Sequence, residues 1–188
     1  MEIFRRLGAF LLDILQTVVL ALAIFLFVYL FLLQPHKIKG DSMLPNFQDG
    51  EFLLTEKVSY RFSQPKRGDI VVFAAPPNEN EDFIKRIIAL AGDRIVVKEG
   101  RIYINDFPLL ESYLSENIAT EGSKFLENGE EYLVKPDEYI LLGDNRPRSS
   151  DSRTWGPVKR DKIVGKVWIV YWPIPKAGLV REVIYAGF

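Results

Sequence analysis

The hydrophobic pattern divides the chain into two unequal parts. Residues 14–33 form an apolar run without a single charge, in which Gln16 and Thr17 are the clearly polar members. A helix of about twenty residues at ~1.5 Å each covers about 30 Å, the thickness of a bilayer's hydrocarbon. A buried core helix would carry a polar stripe. A cleavable signal sequence would share the basic start at Arg5 and Arg6, but Gln34-Pro35-His36-Lys37 after the run lacks a small-residue cleavage pattern. The run therefore predicts a retained transmembrane helix. Beyond it the apolar runs are short and separated by Gly, Pro and Asp turns, with strands predicted at 36–39, 50–58, 68–73, 83–90, 131–134, 138–142 and 163–171. Two more, at 94–98 and 101–105, flank the hairpin signal Glu99-Gly100. Almost no helical periodicity appears after the anchor, which predicts an all-β barrel or sandwich. The division is a tip and anchor over 1–33 and one β domain over 34–188. The polar, Glu-rich stretch 112–129 reads as a surface loop or short helix that could be mobile, and whether it covers a site is left open.

Composition narrows the function. A net charge of −1 and a pI near 6.0 provide no basic surplus, so no nucleic-acid partner is indicated. The absence of cysteine excludes disulfides, thiol nucleophiles and thiolate metal sites. A single histidine, His36, argues against a His-rich metal centre. Charge orients the anchor only weakly, because Arg5 and Arg6 are matched by Lys37 and Lys39. The reading adopted has the short N-terminus cytoplasmic and the large domain outside a single-pass cell membrane.

Candidate chemistry begins at Gly40-Asp41-Ser42-Met43-Leu44-Pro45, a polar kink just past the anchor. A serine hydroxyl needs a base. His36 is six residues away on extended chain, up to about 20 Å, so proximity in sequence implies no contact. The alternative base is a lysine stripped of water. Lys85 sits in the apolar run Phe83-Ile84-Lys85-Arg86-Ile87-Ile88, where burial would favour its neutral form; an edge-strand lysine facing water is the competing reading. A third stretch, residues 143–153, is dense in Asp, Asn, Ser and Arg, and suits either an exposed loop or a hydrogen-bonded platform.

Taken together, these stretches resemble the bacterial type I signal peptidases. Residues 40–45 resemble the family's nucleophile motif, 67–73 the next box, Lys85-Arg86 with Gly92-Asp93 the box of the general base, and Gly143-Asp144-Asn145 through Ser149, Asp151 and Arg153 the last. The resemblance implies Ser42 as nucleophile and Lys85 as base. It implies a Ser149 hydroxyl aiming the amine, and the bracing ion pairs Asp144–Arg86 and Asp151–Arg153. The Ser42 N–H would serve the oxyanion, and Gly40 stands where some members carry a second, side-chain donor. Ile38, Met43, Val72, Phe83 and Ile84 match positions lining shallow pockets for small residues, with core packing as the alternative. The implied partners are preproteins with Ala-x-Ala-like cleavage sites and the lipid bilayer; no metal or other cofactor is implied. Trp168, Trp172 or Phe188 could touch the bilayer, although core packing is the expectation for each. The rival readings are a self-cleaving repressor-type peptidase, for which a DNA-binding segment would be expected, and a tethered β domain that binds envelope or secreted proteins without cutting them.

Overall fold

The apolar run becomes one helix, α1 (Glu2–Phe31), in the computed structural model, which describes residues 1–76, 78–115 and 118–185. The helix starts twelve positions before the predicted run, because residues 2–13 are themselves mostly apolar helix formers and carry Arg5, Arg6 and Asp13 on its surface. None of its residues is buried, and it is the one helix among the described residues long and apolar enough to cross a membrane. At ~1.5 Å per residue it extends about 45 Å.

The strands in order are β1 (Leu33–Lys37), β2 (Phe52–Glu56), β3 (Ile70–Ala75), β4 (Asn78–Ala89), β5 (Arg94–Lys98), β6 (Arg101–Ile104), β7 (Phe107–Pro108), β8 (Glu131–Leu133), β9 (Glu138–Leu142), β10 (Val158–Lys159), β11 (Ile163–Trp172) and β12 (Gly178–Leu179). Short helices α2 (Ser59–Phe62) and α3 (Ser152–Trp155) interrupt them. An eight-stranded sheet runs β1-β2-β11-β3-β4-β9-β10, with β12 beside β11, and a four-stranded sheet runs β7-β6-β5-β8. Every named pairing is antiparallel. The predicted hairpin forms, with β5 and β6 joined by Glu99 and Gly100.

The central strands bury both faces, which explains their unbroken apolar runs. Ile70 and Val72 of β3 point into a core with Ile38, Met43, Phe47 and Leu53, while Val71 and Phe73 point into another with Ile87, Leu141 and Tyr139. A third core joins the two sheets, with Ile95, Val97, Ile102 and Ile104 packed on Ile88, Ile140 and Leu142. The larger sheet curls so far that its edge strand β1 returns to face β4: His36 Nδ1 lies 3.7 Å from Asp82 Oδ2.

Three expectations are corrected. The strand expected at 36–39 is β1, shifted to Leu33–Lys37, because β2 offers pairing partners from Glu56 to Phe52. The stretch 112–129 forms no helix among its described residues and is held down: Leu126 and Thr120 are buried, and the N–H groups of Phe125 and Leu126 donate to Arg153 O at 2.8 and 3.0 Å. Trp168 and Trp172, expected in the core, are 44% and 51% exposed, since the register of β11 against β2 shifts between Val167 and Ile169 and again between Val170 and Trp172, leaving Val167 and Val170 as the inward residues. Phe188 lies outside the described residues.

Candidate active site

Ser42 occupies the tight turn that follows β1. The turn is pinned by its apolar residues, because Met43 and Phe47 enter the inner core and Phe47 N–H donates to Met43 O at 3.0 Å. Gly40 opens the turn with φ +83°, a conformation that favours glycine. Its N–H donates to the Asp49 carboxylate at 2.7 Å. The position therefore offers no side-chain donor near Ser42.

Antiparallel pairing of β3 with β4 sets Lys85 opposite Val71, inside the sheet rather than on a wet edge. Lys85 is 3% exposed. Its Nζ lies 2.7 Å from Ser42 Oγ and 3.0 Å from Ile84 O. Burial lowers the lysine from its ordinary 10.5 to about 8, against the opposing pull of Asp151 and Asp144. When neutral, the amine can accept the Ser42 hydroxyl proton while still donating to Ile84 O. Any reaction that uses this amine as its base is accordingly expected to climb roughly tenfold per pH unit below pH 7 and to level off above about pH 9. A rate constant independent of pH between 6 and 9 would contradict an amine base here.

Residues 143–153 form the platform beneath this pair. Arg86 grips Asp144 with two hydrogen bonds, Nε to Oδ1 at 2.9 Å and Nη2 to Oδ2 at 2.7 Å, with both side chains at most 2% exposed. Arg153 holds Asp151 in the same way, at 2.8 Å for each bond. Asp151 also accepts from Gly143 N–H at 3.1 Å and caps α3 through Arg153 N–H at 3.2 Å. Buried charges need such complete pairing, because each alone would pay a large desolvation cost. The platform is tied to the Ser42 turn by Asn145, which donates from its N–H to Ser42 O at 3.0 Å and from Nδ2 to Asp41 O at 2.9 Å. Asn46 completes the tie, its Nδ2 donating to Asp144 Oδ2 at 2.8 Å.

The platform approaches so closely only because residue 143 is glycine. A Cβ there would stand 2.2 Å from Ser149 Oγ and 2.5 Å from Ser42 O. Gly143→Ala is expected to push the Ser42 turn away from Lys85 and lower kcat by at least tenfold, with little change in the far-ultraviolet spectrum. Unimpaired cleavage would show that the turn can yield without cost.

A cleft of about 590 Å³ opens beside the pair, between the chain at His36–Lys39 and the first half of β4. Ile38, Val72, Phe83 and Ile84 line it, as do Ser42 and Lys85. Two sequence expectations need correction. Met43 is 1% exposed and packs in the core rather than on the cleft, because the turn directs it toward Leu53 and Val72. Ser149 lies behind Gly143, but its hydroxyl is buried without a hydrogen-bond partner, so the expected bond to Lys85 is not made. His36 reaches the cleft wall near Asp82, while the group beside Ser42 is Lys85. Asn46, Asn145, Gly143 and Tyr113, whose ring lies 3.9 Å from the Arg86 guanidinium, were not singled out from the sequence. Gly143 and Asn145 sit within a recognised box; Asn46 and Tyr113 carry no local signal.

A family model described as signal peptidase, peptidase S26, matches residues 11–172. The chain belongs to the signal peptidase S26 family. The peptidase is 37% identical over 172 residues to a probable signal peptidase I-2 of Synechocystis, covering 89% of this chain and 76% of the relative. It is 33% identical over 174 residues to signal peptidase IB of Staphylococcus aureus, covering 87% and 90%. The crystal structure of a signal peptidase I from Enterococcus faecalis is similar with a TM-score of 0.45 and 30% identity, over 55% of this chain and 97% of that one. As a member of this family the peptidase is a serine endopeptidase that cleaves signal peptides.

Proposed function

We propose that Ser42 and Lys85 are the catalytic dyad, and that the peptidase cuts exported preproteins after Ala-x-Ala-like sequences at the membrane surface. The observation that carries this reading is the 2.7 Å contact between a buried lysine amine and the Ser42 hydroxyl. Neutral Lys85 takes the Ser42 proton as Oγ attacks the scissile carbonyl. The Ser42 N–H faces the developing oxyanion, where one preorganised donor is worth roughly 3 kcal/mol. The Lys85 ammonium returns its proton to the leaving amine as the peptide C–N bond breaks, leaving an acyl ester on Ser42. Water, deprotonated by Lys85, then hydrolyses that ester.

The cleft supports binding of the substrate as an added strand. Ile38 directs its N–H and C=O to Glu51 and Gly50, so strand alternation turns the peptide groups of Lys37 and Lys39 toward the open side. β9 pairs with β4 only from Arg86 onward, leaving the stretch before Lys85 free on that edge. The apolar side chains of Ile38, Val72 and Ile84 leave room for small substrate residues.

The lipid bilayer is the second partner in this reading, with α1 spanning it, the N-terminus cytoplasmic and residues 34–188 outside. Exposed Trp168 lines the same groove as Leu33, the first strand residue after the helix, where an aromatic would meet the headgroups. Tethering enzyme and signal helix to one surface raises their effective concentration. The test is incubation of the purified peptidase in lipid vesicles with a model preprotein, followed by N-terminal sequencing of the product. A new N-terminus directly after Ala-x-Ala supports the reading; an intact preprotein, or a cut elsewhere, overturns it.

A further inference from the structure

The cleft changes chemistry along its length. Near Ser42 its floor is apolar, with Ile38 on one wall and Ile84 on the other. Two residues farther from Ser42 on each wall stand His36 and Asp82, which line the same cleft. His36 lies opposite Leu53 in the β1–β2 register, and Leu53 packs with Ile38 in the inner core. Asp82 and Ile84 lie opposite Ala74 and Val72 with no bulge between them, so they share one face of β4. The walls meet at this level, where His36 Nδ1 stands 3.7 Å from Asp82 Oδ2, beyond hydrogen-bond reach.

This end of the cleft is acidic. Burial lowers the His36 imidazole from its ordinary 6.5 against the opposing pull of Asp82, and Lys57 adds to the lowering. A neutral imidazole leaves the Asp82 carboxylate, 40% exposed, its charge. Glu81 lines the same end. The nearby cations lie elsewhere: Lys37 Nζ sits over the Phe52 ring, 5.5 Å from its centre, and Lys39 is on the Ser42 side of Ile38.

β1 and β4 run in the same direction, because the antiparallel series β2, β11 and β3 connects them. A strand laid between them keeps their two-residue period. With the first and third residues before the cut over Ile38 and Ile84, the next residue on that face is the fifth. It lies over His36 and Asp82. Pro35 is the next wall residue after Lys37 whose peptide groups face the strand, and it has no N–H to donate, so the ladder ends there.

We propose that His36 and Asp82 floor a subsite for the fifth residue before the cut, and that Asp82 determines its specificity, accepting a lysine or arginine side chain and disfavouring an acidic one. The inference rests on the substrate binding as an added strand in this cleft.

The measurement is kcat/KM of the full-length peptidase in lipid vesicles for model preproteins that carry Ala, Lys or Glu as the fifth residue before an Ala-x-Ala cut. Wild type is expected to favour Lys over Glu by about fivefold at low ionic strength, with the preference shrinking as salt is added. Asp82→Asn should bring the Lys-to-Glu ratio close to one, and Asp82→Lys should invert it. The same exchange at the fourth position, whose side chain points away from the floor, should give a ratio that neither variant changes. A wild-type ratio of one, the same ratio in wild type and Asp82→Lys, or a fourth position that follows Asp82 as strongly as the fifth overturns the proposal while the added strand stands. Should Asp82→Lys fail to fold, the isosteric Asp82→Asn decides by the same ratio. If the preprotein with Ala at the fifth position stays uncut, or is cut elsewhere, the added strand itself is overturned, and this subsite with it.

Discussion

Exchange of Lys85 for Met is expected to abolish preprotein cleavage while leaving a domain more stable than the wild type at neutral pH. Loss of the base alone removes on the order of 10²- to 10⁴-fold in rate, and Ser42→Ala should be as inactive, since either change leaves no activated nucleophile. The stability effect has the opposite sign to the usual core substitution. Lys85 is held at about 8 in the fold against an ordinary 10.5, so between those values the unfolded chain binds more protons and stability rises with pH. Below pH 8 the fold carries the full penalty of a proton in a dry site, roughly 3 kcal/mol at about 1.4 kcal/mol per pH unit. Methionine has similar length and no charge to desolvate. Thermal unfolding at pH 7 should therefore show a higher midpoint for Lys85→Met than for wild type, with the gap closing toward pH 10.5. Detectable turnover in Lys85→Met would remove the lysine from the mechanism, and an unfolded variant would remove the argument about its burial.

Asp144→Ala should be the most damaging single change to the fold. It strands the Arg86 guanidinium, 2% exposed, with only Gly68 O and the Tyr113 ring as partners. Leaving one member of a buried pair uncompensated costs about 3–5 kcal/mol, and for a chain of this size that lowers the midpoint on the order of 10 °C. Asn46 would lose its acceptor as well, loosening the nucleophile turn. The contrast is Asp106→Ala, which breaks the Arg94–Asp106 pair, 49% and 66% exposed, and should cost under about 1 kcal/mol. Comparable losses from the two substitutions, read by thermal unfolding in detergent, would show that burial does not set the value of these pairs.

Much of the site was legible because its motifs are local. Gly40 to Pro45 and Gly143 to Arg153 each bring several polar residues together within one stretch, and the ion pairs Asp144–Arg86 and Asp151–Arg153 form as the resemblance implies. What failed was the finer aim of side chains. Met43 enters the core because the Ser42 turn folds back on Leu53, and the Ser149 hydroxyl packs against Gly143 with no hydrogen-bond partner. For Met43 the outcome depends on Leu53 and Val72, which lie outside the local motif. The exposure of Trp168 and Trp172 was misjudged for the same reason, since residue type favours burial while the registers of β11 with β2 and β3 decide which face each takes.

The sequence by itself determined the anchor, the β class and the set of groups from which the site is made. An uncharged apolar run, short turn-bounded strands and the absence of cysteine are properties of composition and spacing, and they act whatever the chain's final path. Only the tertiary structure decided that the lysine meets the serine across forty-three positions. That meeting needs β3 to pair with both β4 and β11, and the sheet to curl until β1 faces β4. The same packing removes water from Lys85, and its basicity is a property of that burial. In the proposed mechanism, the reactive character of Ser42-Met43-Leu44-Pro45 thus comes from what the fold brings against it, and from the water it keeps away.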